Sequence, residues 1–365
     1  MTDTFCIAPF VNFSTTTSGY PRLCCQADTY QNLSLLDNTI DEIWNSKEYK
    51  LARQKFVDNE WPSQCSVCKN NEENGIPSRR EFENKRWAHL DKHVVISNPE
   101  IYCYDLRMGH TCNLTCVMCT PMNSSLWVAE AENYEHLRDH KTHQGHKWAN
   151  TTQLLNEIKS NIKSVELLYF AGGEPLLIKK HHELIKYCVD NNYAKDISLI
   201  YDTNGTQINH NWIELWKNFK NVKIQFSIDG GKDVVEYVRY PVKFDVLLQS
   251  LELLKNSTCE VYLQMALGAY NIFEIENIQK LSSEYNCEGI NISIVDWPDF
   301  MSIDNLTDSI KEKIKIQYKD CDIKRVKSMI DNIKINNNNS DRLIEYFKKI
   351  DSVRGLNYKK VFKWL

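Results

Sequence analysis

Three cysteines stand in CNLTCVMC, residues 112–119, at spacing C-x3-C-x2-C. A structural zinc site takes four ligands. A four-iron cluster held by three thiolates instead keeps one iron open for a small molecule. The competing reading is a zinc site completed by a distant group such as His110 or Cys103. A second set lies earlier in the chain. Cys6 and Cys24 bracket CIAPFVNFSTTTSGYPRLC, spaced C-x12-G-x4-C, and Cys65 and Cys68 form CSVC. Four thiolates from two distant pairs can close a tetrahedral zinc site or ligate a cluster fully, and spacing does not separate these.

The whole chain fits ligation better than cross-linking. Its 365 residues hold 13 cysteines, an odd number, many at x2 or x3 spacing. No basic stretch followed by an apolar run opens MTDTFCIAPF, so no signal peptide is expected. A reducing, cytoplasmic location follows, with metal or cluster ligands rather than disulfides. No apolar run approaches a membrane span. Hydrophobic residues at 42% and charged residues at 25% are ordinary for a globular protein. A net charge of -4 gives no global basic field, so nucleic acid is not an expected partner. The length allows one large or two smaller domains. KINNNNSDR, residues 334–342, is read as a compositional bias or a loop.

The elements that must position these cysteines follow a rhythm. Residues 1–88 show short, broken signals, with one clear helix expected over 41–56, DEIWNSKEYKLARQKF. Residues 89–99 are a connection. From about 100, six β-rich runs alternate with helical stretches: 101–109, 164–173, 196–205, 221–230, 259–268 and 289–298. Such alternation predicts an α/β fold with a parallel sheet and crossover helices, either doubly wound or an incomplete barrel. Both place ligands at the C-terminal ends of strands. Residues 301–365 turn helical and charged.

The polar motifs sit at those strand ends. FAGGEPLL carries Gly172, Gly173 and Glu174. The glycines permit close backbone approach, and Glu174 can accept from a cationic amine. TNG places Asn204 after the third run. In FSIDGG, Ser227 and Asp229 alternate onto one face, where they could meet ribose hydroxyls. EYVRYP follows with Arg239. Each alone reads equally well as turn chemistry.

Together, over roughly residues 100–300, these motifs resemble the radical S-adenosylmethionine (SAM) enzymes. The resemblance implies a partial (β/α)6 TIM-like barrel, with a 4Fe-4S cluster on Cys112, Cys116 and Cys119 whose open iron chelates SAM. It further implies that Gly172, Gly173, Glu174, Asn204, Ser227, Asp229 and Arg239 bind SAM, with Glu174 at the amino group and Arg239 at the carboxylate. Reductive cleavage then yields a 5′-deoxyadenosyl radical that abstracts hydrogen from a substrate. The earlier cysteines resemble the shortened auxiliary-cluster domain of this superfamily, called twitch, related to SPASM. Here that small Cys-rich α+β domain, residues 1–88, precedes the barrel. Cys6, Cys24, Cys65 and Cys68 are its implied ligands to an auxiliary 4Fe-4S cluster, and Cys25 is read as a small buried hydrophobe.

The resemblance favours oxidative modification of a peptide or protein side chain, with a flavodoxin- or ferredoxin-like electron donor. A small-molecule dehydrogenase or lyase acting on an amino sugar or nucleoside is the runner-up. A zinc-bearing binding protein is the alternative of another class. On the substrate side, Cys103, Asp105 and Arg107 share one face of the first run, either towards a barrel interior or as a surface Asp105–Arg107 pair. Cys103, Arg107 and Asp296 are the substrate-side candidates, with Gln264 and Trp297 behind them. EHLRDHKTHQGH, which holds His136, His140, His143 and His146, is read as a solvated loop. His181 and His182 are read as surface residues.

Overall fold

The computed structural model describes residues 4–138, 148–335 and 340–365. His140, His143 and His146 therefore lie outside the described residues. Among the described residues the sheet has eight strands in the order β2-β1-β3-β4-β5-β6-β7-β8. They are β1 Asn12–Thr15, β2 Pro21–Arg22, β3 Cys103–Arg107, β4 Leu167–Ala171, β5 Ser198–Thr203, β6 Asn221–Ser227, β7 Glu260–Leu267 and β8 Gly289–Ile294. The last six are the six runs expected from the sequence. Among the described pairings only β1 with β2 is antiparallel. The α/β fold with a parallel sheet is thus present, and helices alternate with the strands from β4 onward.

The chain divides into two compact units. One comprises Met1–Thr111, Thr142–Tyr201 and Glu214–Val222; the other comprises Cys112–Lys141, Asp202–Ile213 and Lys223–Leu365. These units do not follow boundaries at residues 88 and 300. The physical reason lies in the ladder: β1, from the cysteine-rich N-terminal stretch, pairs in parallel with β3, Asn12 opposite Cys103 and Ser14 opposite Asp105. The N-terminal segment is stitched into the sheet by its own backbone.

Local differences have local causes. The helix expected over 41–56 is two, Ile40–Trp44 and Lys47–Val57. Ser46 caps the second by accepting from the Tyr49 N–H, and a side-chain cap competes with helix continuation at such a residue. His181 is not on the surface. It is fully buried in the first unit, 4.3 Å from the Phe170 ring centroid, with Nε2 2.8 Å from the Tyr201 hydroxyl. His182 is exposed, as read.

Candidate functional site

The three-cysteine loop belongs to the second unit, and its backbone is pinned at several points. The Ser125 hydroxyl lies 3.2 Å from both the N–H and the carbonyl of Cys112. Ser124 donates to the Leu114 carbonyl at 2.5 Å, and Trp127 Nε1 donates to that of Cys116 at 2.9 Å. Tyr346 donates its hydroxyl to the Val117 carbonyl at 2.8 Å. The N–H groups of Thr115 and Val117 donate to the carbonyls of Tyr240 and Val238 at 2.7 and 2.8 Å. A loop pinned at this many backbone groups is held in one shape, so its thiols are presented rather than searching. Cys116 is buried, and Cys112 and Cys119 are half-buried. Burial pushes the Cys116 thiol up to about 12, against the pull of Arg239. Cys119 is raised too, by burial and then by the other two sulfurs. Such thiols stay protonated at neutral pH until a metal centre takes their place, and loading releases the protons.

The pairing with residues 238–240 brings Arg239 to the loop. Arg239 and Asp229 are both buried, and their Nε and Oδ2 lie 2.7 Å apart. Burial opposes the guanidinium charge, but Asp229 and then Cys116 outweigh it and raise its pKa. Asp229 also accepts from the Ala266 N–H at 2.8 Å. With its carboxylate occupied in this way and fully buried, Asp229 holds Arg239 in place. Ser227, at the end of β6, is half-buried. Asn204 donates to Asn113 Oδ1 at 2.9 Å and towards Cys112 Sγ at 3.8 Å. Its side-chain Oδ1 accepts from the Thr206 N–H and hydroxyl.

The Gly-Gly-Glu turn is in the first unit. Gly172 has φ +119°, and a Cβ there would stand 2.9 Å from the Gly109 carbonyl oxygen. A Cβ on Gly173 would overlap the Thr111 carbonyl. Glu174 donates its N–H to that same carbonyl at 2.7 Å, and its Oε1 accepts from the Leu176 N–H at 3.1 Å. The glycines thus let the end of β4 lie directly on residues 109–111, the segment that leads into Cys112.

Also in the first unit, Cys6, Cys24, Cys65 and Cys68 line one cavity, with Arg79, Arg80, Glu83, Trp61 and Phe56. Hydrogen bonds fix its walls. Arg80 Nη1 and Asn84 Nδ2 donate to the Phe5 carbonyl at 2.9 and 2.8 Å, and Arg79 pairs with Glu83 at 2.6 Å. Burial pushes the Cys65 thiol up to about 12 and raises Cys6 further. Cys25 is half-buried rather than buried, and its thiol is lowered to about 7, first by a hydrogen bond to Cys24. Among the described residues no three His, Cys, Asp or Glu side chains are arranged to hold a single metal ion.

On β3, Cys103 and Asp105 are buried and Arg107 is half-buried. Asp105 Oδ1 and Arg107 Nε lie 3.4 Å apart, so this pair is not a surface pair. Asp296 and Trp297 are exposed. Gln264, on β7, is half-buried and stands opposite Ser227 of β6. His136 is half-buried rather than fully solvated: its ring packs 5.2 Å from Phe300 and 5.1 Å from Tyr346. The residues that sequence reasoning missed are the clamps, Ser124, Ser125, Trp127 and Tyr346. Tyr346 lies 229 positions from Val117, and nothing in its neighbourhood marks it.

Among solved structures, native anSMEcpe with bound AdoMet is similar at 17% identity and TM-score 0.41, over 60% of this chain and 61% of that one. Streptococcus suis SuiB bound to S-adenosylmethionine is similar at 12% identity and TM-score 0.41, over 76% of this chain and 61% of that one. TYW1 with a lysine-pyruvate adduct bound is similar at 14% identity and TM-score 0.36, over 71% of this chain and 90% of that one. This chain thus spans 61% of the length of the first two. No curated protein matches it in sequence. The family model described as the Radical SAM superfamily matches residues 106–281. Those residues, just under half of the chain, are thus similar to that superfamily.

Proposed function

We propose that this protein is a radical SAM enzyme that oxidatively modifies a peptide or protein side chain, with one cluster on Cys112, Cys116 and Cys119 and an auxiliary 4Fe-4S cluster on Cys6, Cys24, Cys65 and Cys68. The observation that carries the SAM-cleaving half is the clamped loop, with Arg239 paired to it through the backbone of residues 238–240. Three fixed thiols suit a cluster with one open iron. When bound, the cluster and SAM supply a 5′-deoxyadenosyl radical that takes a hydrogen atom from the substrate. The chain's own residues bind and orient. Arg239, kept charged by Asp229, takes the SAM carboxylate. Glu174 takes the amino group, and Ser227 takes a ribose hydroxyl. Asn204 steadies Cys112. The auxiliary half is supported by four cysteines on one cavity beside Arg79 and Arg80, cations suited to an anionic cluster. A fully ligated cluster there would accept or relay an electron, which is why oxidation is favoured over isomerisation.

The test is anaerobic reconstitution followed by dithionite-driven cleavage of SAM. The wild type should form 5′-deoxyadenosine, and Cys116→Ala should form none. Wild-type rates in Cys116→Ala would remove the loop from the chemistry. A peptide that increases cleavage and loses two hydrogens would establish the substrate class; acceleration only by a free sugar or nucleoside would replace it.

A further inference from the structure

A buried ion pair stands beside the three-cysteine loop and belongs to no motif. Arg354 is the last residue of helix Asp341–Arg354, which Gly355 ends at φ +67°. Its Nε donates to Glu130 Oε2 at 2.9 Å, and its side chain is only 1% exposed. Its guanidinium carbon lies 4.7 Å from the Trp127 ring centroid and 5.2 Å from that of Tyr240. Both Nη atoms are buried and make no hydrogen bond among the described residues, so this end of the guanidinium meets the two rings.

Those two residues are clamps of the loop. Trp127 Nε1 donates to the Cys116 carbonyl at 2.9 Å, and the Tyr240 carbonyl accepts from the Thr115 N–H at 2.7 Å. The same helix meets the loop again through Tyr346, whose hydroxyl donates to the Val117 carbonyl at 2.8 Å. Its last turns are anchored where Asp351 accepts from the Tyr237 hydroxyl and the Tyr358 N–H, each at 2.9 Å. The Arg354 charge is thus held in place with a Trp127 ring between it and the Cys116 backbone. Stability is a poor reason for such a pair. Desolvating both ions consumes most of what their attraction returns, and an apolar chain of similar volume fills the gap between two rings as well. What arginine adds is a permanent charge in a fixed plane. Away from water that charge acts over a longer distance and is little screened by salt.

We propose that Arg354 is a redox-tuning residue: its buried charge eases the one-electron reduction of the cluster on Cys112, Cys116 and Cys119, and Glu130 limits the effect. Reduction adds a negative charge to the cluster, and the electron comes from an external reductant, dithionite in the assay. Arg354 stabilises that added charge, since the charge around an iron–sulfur cluster helps to set its potential. The tuning rests on the cluster reading proposed above; the ion pair and its rings do not.

The test is a redox titration followed by electron paramagnetic resonance, on the full chain after anaerobic reconstitution. The cluster in question is the one whose signal changes when SAM is added. Arg354→Met keeps an apolar chain between the rings and removes the charge. It should lower the midpoint, about threefold in the reduction equilibrium constant, which is ~30 mV for one electron. Glu130→Gln removes the counter-charge and should raise the midpoint by a similar factor. Arg354→Lys keeps the charge and should leave it in place. The opposite signs discriminate, because Met and Gln break the same ion pair, and a prop that only held the helix would respond alike to both. Shifts of one sign, no shift, or an equal shift of the auxiliary cluster overturn the proposal. Should Arg354→Met fail to fold or to hold iron, the other two variants still decide: a raised midpoint in Glu130→Gln beside an unmoved one in Arg354→Lys is required. A wild type without iron overturns the cluster reading and the tuning with it, whereas iron with unmoved midpoints overturns the tuning alone.

Discussion

At the scale of single residues, the three-cysteine loop has a donor aimed at a sulfur as well as braces on its backbone. Asn204 aims Nδ2 at Cys112 Sγ from 3.8 Å, and its side-chain Oδ1 is fixed by Thr206. Asn113 completes the brace by accepting from Asn204 and donating to Thr206 Oγ1 at 2.8 Å. A donor aimed at a ligating sulfur stabilises the more reduced, more negative state of a cluster and raises its potential. Asn204→Leu should therefore lower the midpoint of the Cys112 cluster on the order of tens of millivolts, with iron content unchanged. A redox titration followed by electron paramagnetic resonance reads this directly. An unmoved midpoint would leave Asn204 as a turn brace only. The same scale separates Asp229 from Arg239. An acidic and a basic residue ten positions apart read alike as ligand contacts, but the Asp229 carboxylate is occupied by Arg239 and the Ala266 N–H.

At the scale of elements, helix Lys179–Asp190 packs onto the sheet through a histidine. His181 is fully buried against Phe170 and Tyr201, and burial lowers its pKa to about 3. Unfolded, the same imidazole titrates near 6.5. The unfolded chain thus binds the extra proton first as pH falls. The stabilisation is whole above about 6.5 and is lost progressively towards the folded value, about 2 kcal/mol of it by pH 5. Urea midpoints at pH 7 and pH 5 should diverge more for the wild type than for His181→Gln; equal divergence would mean that His181 protonates without cost. Legibility divides at this same scale. The six strands of the parallel sheet were readable because each apolar run ends at a glycine or proline, a signal confined to ten residues. His181 was not, since polar type is a poor guide when aromatic neighbours and hydrogen bonds take up the ring. Nor was the union of β1 with β3, which depends on backbone pairing across some ninety residues. The cysteine loop was legible by spacing, but its clamps from Trp127 and Tyr346 were not, because they act on carbonyls and leave no motif.

At the scale of the whole molecule, two cysteine sets are supported by separate groups of residues. The loop of Cys112, Cys116 and Cys119 is braced by Ser124, Ser125, Trp127, Tyr240 and Tyr346, all from the second unit. The cavity of Cys6, Cys24, Cys65 and Cys68 is walled by Phe56, Trp61, Arg79, Arg80 and Glu83, all from the first. Neither set borrows a brace from the other's list, so damage to one should be readable without loss of the other. Reconstituted wild-type protein should carry about eight irons, two cubane clusters. Cys65→Ala should carry about four and still cleave SAM, because no brace of the three-cysteine loop is touched. It should fail to complete oxidation of the substrate, since the electron left on the substrate radical has lost its acceptor. Iron and zinc analysis beside a dithionite assay separates the outcomes. Eight irons in Cys65→Ala would remove that residue from the ligand set, whereas four irons and one zinc in the wild type would make the cavity structural. Full turnover with half the iron would place the electron acceptor outside the cavity altogether, and the oxidative reading would then have to find it on a partner.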